Sequence, residues 1–415
     1  MSAFQRLFGD DAEILRDLDL QLLLLTAVLA PLGSGLVSPI LESLTGVFSV
    51  SPARIGLLVA AMSAPGIVAI PLVGVLSDRY GRKAVLVAGT LLFGTAGAAI
   101  AFTTDFRVVL VLRLLQGIGF SGMLPTLIAA IGDLYVGAEE ATAQGLRLTT
   151  VGFSQVVFPF VAGSIVVVGW QYPFLLYAMG IPIAVLLYFR FEEPTDLGAA
   201  TGDGGVDAEP TPIRDLLDLA TQRRVAPILL ARGLPSFVWI GFLTYNSIIV
   251  VRLFDGTPRE AGLVVAVGGT LFAIAASQAG RITDHFSSRF YPLVGAHTGM
   301  AVGFGIVAFA PSLAVAVPGI VVGSFGFGMT SSMYRSIITG FAPTRLRGGL
   351  VSLGESLGRL SATLAPVVMG WLIAAGTPAV GFHAALRWTV FGVAAVLSVV
   401  GVACLAIART APTPE

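Results

Sequence analysis

Cysteine, lysine, histidine and charge are all scarce in this chain, and each scarcity closes a class of function. The single cysteine, Cys404, excludes an intramolecular disulfide and cannot by itself build a metal cluster. Three scattered histidines (His285, His297, His383) do not add up to a metal site. Lys83 is the only lysine, and Ala84 follows it where a P-loop needs Ser or Thr, so no ATP site of that class is present. Charged residues make up 12% of the sequence, against about 25% in ordinary soluble domains. The 24 basic and 24 acidic residues cancel, so nothing implies a nucleic-acid partner. No nucleophile–base pair or nucleotide motif is visible, which argues against an enzyme and leaves no cofactor to expect.

What the sequence has in quantity is apolar length. Hydrophobic residues make up 55% of it, and its 50 glycines suit closely packed membrane helices. A bilayer core takes about 20 apolar residues to cross. Leu20–Ile40, Ile55–Leu76, Ala84–Thr103, Val108–Gly132, Leu148–Trp170 and Tyr172–Phe189 meet that length. After a polar interval come Val225–Val251, Ala261–Gly280, Phe290–Phe309, Leu313–Ile338, Gly348–Ala375 and His383–Ile407. The fold expected is all-α and integral to the membrane, with twelve transmembrane helices in two pseudo-symmetric six-helix bundles.

The expected division is a tail over 1–19, a first bundle over 20–190, a linker over 191–224, a second bundle over 225–409 and a tail over 410–415. The opening segment is acidic and lacks the basic start and cleavage site of a signal peptide. Thr201–Gly205 and the acids around it could not build a core, so a flexible linker is expected there, with an amphipathic helix near Pro212–Gln222. If the amino terminus is cytoplasmic, and Arg335 and Arg387 are counted with the segments next to their span ends, 16 of the 24 arginines and lysines fall on the cytoplasmic side, 5 on the outer side and 3 deeper within spans. The positive-inside rule then places both termini in the cytoplasm of a cell-membrane protein.

The halves repeat a charged hinge. Gly74-Val-Leu-Ser-Asp78-Arg79-Tyr-Gly81-Arg82-Lys83 recurs in weakened form as Gly280-Arg-Ile-Thr-Asp284-His-Phe-Ser-Ser-Arg289, with each Gly and Asp 206 residues from its counterpart. Tandem bundles of this kind are typical of transporters. Gly74 and Gly81 would let backbones approach closely and turn, and Asp78 would accept hydrogen bonds from Arg79, Arg82 or a neighbouring helix amino terminus. Pairs that form in one state and break in another make a conformational latch. The plainer reading is a basic loop that only fixes topology.

Gly74-x-x-x-Asp78-Arg79-x-Gly81-Arg82-Lys83 resembles the signature between helices two and three of the major facilitator superfamily. Leu112-Arg113-Leu-Leu-Gln116-Gly117-Ile-Gly119 in helix four is similar to that family's second motif, and Gly169-Trp170-Gln-Tyr-Pro173-Phe174 to its junction before helix six. Pro159-x-x-x-Gly163 in helix five is answered by Pro366-x-x-x-Gly370 in helix eleven. The resemblance implies that Asp78 meets the start of helix eleven, here Gly348–Leu350, and by pseudo-symmetry that Asp284 meets the start of helix five. It also implies that Arg113 lines the central cavity and takes part in proton transfer, with Gln116 on the same face. The most similar type is the drug:proton antiporter. That type's helix-five motif is only partly kept: Gly152, Pro159 and Gly163 fit it, whereas Phe158 and Ala162 do not.

Ionisable groups deep in a span usually mark a pathway or relay. Glu355 and Arg359 stand four residues apart in helix eleven and are expected to pair, either as a coupling unit or as self-neutralising packing. Arg113 could instead snorkel to the outer surface, as could Arg232 to the inner one. Tyr245, Asn246, Ser331, Ser332 and Tyr334 are weak candidates to hydrogen-bond a solute. Together these readings imply a secondary transporter, with a monomer as the working unit. It would move a small organic solute by alternating access, with protons as the coupling partner and export of hydrophobic compounds preferred. Metabolite uptake and a transporter-like membrane sensor are the alternatives.

Overall fold

The computed structural model describes residues 14–193, 213–341 and 344–410, and among them there is no strand. The expected tails over 1–13 and 411–415, and most of the linker, lie outside the described residues. Among the described residues eleven helices are long and apolar enough to cross a membrane, and Leu18–Leu32 is a shorter apolar helix at the position of the first expected span. The main helices are α1 Leu18–Ala27, α2 Gly66–Tyr80, α3 Arg82–Ala99, α4 Phe106–Leu134, α5 Ala138–Ile165, α6 Gly180–Arg190, α7 Ala226–Ile248, α8 Pro258–Asp284, α9 Phe290–Phe309, α10 Leu313–Phe341, α11 Thr344–Val380 and α12 Phe382–Thr410. The chain is an all-α, multi-pass membrane protein of two six-helix bundles.

Departures from the expected spans have local causes. The first span is broken after Ala27 into short turns, because Pro31 and Pro39 lack backbone donors and Gly33 and Gly35 do not hold a helix. The second is interrupted at Gly56 and again before Gly66, beside Pro65. Helix α5 starts at Ala138, ten residues before its apolar stretch, with Glu139 and Glu140 in its first turn, where acids favour a helix start. The linker does contain a helix, Ile213–Ala220, whose Leu216 would lie 3.0 Å from a Cβ on Gly349 of α11.

The chain forms two compact units, Met1–Val37 with Ala61–Gly204 and Ser38–Ala60 with Gly205–Glu415. The division therefore departs from the sequence halves, in that Ser38–Ala60 groups with the second unit. Hydrogen bonds explain why. Ser38 Oγ donates to the Leu243 carbonyl, the Glu42 amide donates to Ser247 Oγ at 3.3 Å, and the Tyr245 hydroxyl lies 3.3 Å from the Ala53 carbonyl oxygen. In the first unit α3 packs on α4 and α6, and in the second α9 packs on α10 and α12. Glycine sets the closest approaches. A Cβ on Gly119 would come within 2.5 Å of the Phe93 amide, and one on Gly303 within 2.4 Å of the Gly323 amide. Neither seam could accept an alanine without moving a helix.

Candidate functional site

At the α2–α3 turn, Gly81 has φ 91°, a conformation that L side chains rarely adopt. A Cβ there would also lie 2.8 Å from the Glu193 carboxyl group. That carboxylate, just past α6, accepts the backbone N–H groups of Arg82 at 2.5 Å and Lys83 at 2.9 Å. These donors have no partner within the helix, and the positive end of the helix dipole favours an anion. The Arg82 guanidinium then binds Asp133 Oδ2 of α4 at 2.7 Å and Asp78 Oδ1 of α2 at 2.5 Å, and donates to Ser77 Oγ. One arginine thus ties three helices into a knot.

The structure brings Asp78, Gly81 and Arg82 together as the sequence suggested. Asp133 and Glu193, 51 and 111 residues from Arg82, were not foreseen. Two expectations are corrected. No neighbour lies within 4 Å of a Cβ placed on Gly74 or on Gly280, so neither glycine marks a close backbone approach. Arg79 lies over the Tyr80 ring, 5.5 Å from its centroid, and forms no ion pair among the described residues. Two residues past Asp133, Tyr135 donates to the Asp17 carboxylate, and burial together with that charge raises the phenol's pKa.

The weaker hinge copy is open. Gly280, Asp284, Arg289, Ser332 and Ser336 line a polar recess of about 190 Å³ between α8 and α10. Arg289 donates to Ser336 Oγ at 3.2 Å, and His285 replaces the arginine of the first copy.

Arg113 is fully buried, which removes the snorkelling reading. It donates to Gln116 Oε1 at 2.6 Å and to the Tyr177 hydroxyl at 3.2 Å, with Met62 Sδ at 3.6 Å. Tyr177 in turn donates to the Leu32 carbonyl at 2.7 Å. Arg113 Nε and Gln116 Nε2 have no hydrogen-bond partner, and no carboxylate pairs with Arg113 among the described residues.

In the second unit Glu355 does not pair with Arg359. Its Oε1 accepts from Arg232 of α7 at 3.1 Å and from Arg335 of α10 at 3.0 Å, and Arg359 has no ion pair among the described residues. The i, i+4 spacing permitted a contact within α11, but two guanidinium groups from other helices reach the carboxylate instead. Arg232 also donates to Ser236 Oγ at 3.3 Å and is 7% exposed, so it does not snorkel.

The proposed solute contacts are largely spent inside the protein. Tyr245 donates to the Pro366 carbonyl at 3.0 Å, and Asn246 Nδ2 to the Ala261 carbonyl at 2.9 Å, leaving only Asn246 Oδ1 unpartnered. Tyr334 is buried against His297 Nε2 at 2.7 Å. Ser332 lines the α8–α10 recess and Ser331 is half-buried. On α5, Gly152 is open, Pro159 packs near Gly35 and Gly163 is buried. The sequence also missed a clasp within the second unit, in which Glu42 Oε1 accepts from Arg252 Nε at 2.6 Å.

The profile of the Major Facilitator Superfamily matches residues 23–366 and 246–415, which together take in nearly the whole chain. The chain belongs to the Major Facilitator Superfamily. The family is one of membrane transporters, which are not enzymes. Relatives include the "Bacillibactin exporter" of Bacillus subtilis, 36% identical over 28% of this chain and 30% of its own length. "Multidrug resistance protein 2" of the same species is 23% identical over 61% of this chain and 63% of its own length. Both matches span less than two thirds of the relative. The "3-(3-hydroxy-phenyl)propionate transporter" of Escherichia coli is 27% identical over 75% of this chain and 76% of its own. A solved bacterial homologue of the human lysosomal transporter Spinster has a TM-score of 0.83 at 18% identity, covering 96% of this chain and 99% of its own. At that identity the likeness speaks for the superfamily fold alone.

Proposed function

We propose that the chain is a proton-coupled secondary transporter of the cytoplasmic membrane, with both termini in the cytoplasm. It exports small hydrophobic or drug-like compounds by alternating access. The observation that carries this reading is Glu355. Among the described residues it is the only acid that lies well inside a long apolar helix, away from the helix ends. It sits between Arg232 and Arg335. Protonating it would release both arginines at once and loosen the join of α7, α10 and α11 within the second unit. An intramembrane carboxylate held this way suits a coupling group.

Three further elements take roles in this reading. The Arg82 knot, with Asp78, Gly81, Asp133 and Glu193, stabilises one arrangement of the cytoplasmic ends of the first unit. Asp284 and Gly280 form its weaker counterpart. Arg113 and Gln116 keep an unpartnered buried donor set available to the transport cycle. Uptake is the second reading, and two observations favour it. The relative with the widest coverage quoted above is named for a phenylpropionate, and Phe158 and Ala162 depart from the exporter pattern in α5. Solute and pH gradients imposed separately on vesicles of known orientation test both readings. Solute accumulation against its gradient, driven by protons moving the opposite way, supports export. Accumulation with protons supports uptake, and movement indifferent to the pH gradient removes coupling.

A further inference from the structure

The chain as a whole is neutral, but its membrane helices are not. In the first unit Arg113, fully buried, and Arg147, half-buried nine residues into α5 and donating to Gln144 Oε1, have no ion-pair partner among the described residues. In the second unit Glu355 is the single carboxylate beside three arginines: it pairs with Arg232 and Arg335, and Arg359 is left without an ion pair among the described residues. Counting about 1.5 Å per residue from Gly349, Glu355 lies roughly 9 Å into its span, and Arg359 roughly 15 Å, one turn deeper. An uncompensated cation at such depth is costly and persists where something answers it.

We propose that Arg359, with Arg232 and Arg335, binds the carboxylate of an amphipathic organic anion. Glu355 holds the latter two arginines as an internal stand-in for the solute's own carboxylate. The inference rests on the transporter reading and names its solute class. Several features point the same way. The guanidinium fork matches a carboxylate with two parallel hydrogen bonds. A Cβ on Gly358 would lie 3.5 Å from Arg232 Nη1, so that guanidinium runs along α11 beside the residue preceding Arg359. The cluster is reachable, since the Arg335 and Glu355 side chains are 64% and 39% exposed. Leu353 and Leu357, two residues to either side of Glu355 on α11, are half-buried and supply apolar surface close by. A lipophilic cation would meet a net repulsion here, and a neutral solute would leave Arg359 unanswered.

The test uses the full chain in phosphatidylcholine nanodiscs, with thermal unfolding followed against naphthylacetate, naphthylacetamide and naphthylethylammonium. Only naphthylacetate is expected to raise the melting temperature, since binding to the native state alone stabilises it. Each variant is referenced to its own unliganded melt. Arg359→Gln should weaken naphthylacetate at least about tenfold, the size of a lost charge-assisted hydrogen bond. Glu355→Gln should strengthen it, because Arg232 and Arg335 lose their internal partner, and a folding defect would not produce such a gain. The proposal is overturned by equal stabilisation from the amide or the ammonium probe, by no stabilisation from naphthylacetate, or by an unchanged response in Arg359→Gln. Stabilisation by phosphatidylglycerol that blocks naphthylacetate would assign the cluster to a lipid headgroup and also overturn it. Naphthylacetate binding without counterflow in vesicles would sink the transport reading and leave this site standing. Proton-driven movement of naphthylethylammonium alone would do the reverse.

Discussion

Replacing Glu355 separates the ion pairs seen here from the one its sequence neighbour suggests. The Arg232 side chain is 8% exposed and that of Glu355 is 39% exposed, so their 3.1 Å bond lies between a surface pair and a buried one. Surface pairs contribute about 0–1 kcal/mol, whereas removing one partner of a fully buried pair costs about 3–5 kcal/mol. A coupling of about 2 kcal/mol between Glu355 and Arg232 follows from that position between the two limits. The bond to Arg335, whose side chain is 64% exposed, should couple by under about 1 kcal/mol. Arg359, with no ion pair, should couple to Glu355 by about 0.5 kcal/mol or less. The assay is a set of double-mutant cycles with Glu355→Gln, Arg232→Met, Arg335→Gln and Arg359→Gln, read by reversible unfolding in nanodiscs. The Glu355→Gln, Arg232→Met double variant should recover much of the stability lost in Glu355→Gln, because an absent pair costs less than an unpaired buried charge. A larger coupling to Arg359 than to Arg232 would refute the arrangement.

Four further outcomes are expected. Gly81→Ala should cost about 1–3 kcal/mol from its left-handed backbone, and more from the 2.8 Å clash with Glu193, seen as loss of folded protein on size exclusion. Glu193→Ala should destabilise by about 1 kcal/mol through the uncapped start of α3, with amide exchange rising first at Arg82 and Lys83. Asp78→Asn should slow transport more than Asp284→Asn, because only Asp78 sits in the knot with Arg82; the opposite ranking in a vesicle assay would reverse the roles given to the two hinges. Cysteines at Ser51 and Ser287, both exposed, should label from opposite membrane faces in a Cys404→Ser background, and labelling from one face would overturn the topology.

The twelve spans were legible because apolar length is a local property that the bilayer demands. The two-bundle plan was legible because one hinge appears twice. The partners were harder to read. Arg232 and Arg335 stand 123 and 20 residues from Glu355, and within α11 Arg359 was the obvious neighbour, yet nothing local says which guanidinium a carboxylate turns toward. Glu193 escaped notice for a related reason. Its partners are backbone N–H groups that exist as free donors only once α3 starts at Arg82. The role of Tyr245 was misjudged because a hydroxyl in a sequence looks available, whereas in the fold it satisfies the carbonyl that Pro366 presents four residues before Gly370.

The most direct test of the account is proton flux on solute addition in vesicles reconstituted with the native chain or Glu355→Gln. Naphthylacetate, the carboxylate probe of the α11 site, serves as the solute. The native chain should couple solute movement to a pH change, and the variant should lose that coupling while still exchanging labelled for unlabelled solute. Undiminished coupled flux in Glu355→Gln would contradict the assignment of this carboxylate as the coupling group and leave the arginine cluster to packing or anion binding alone.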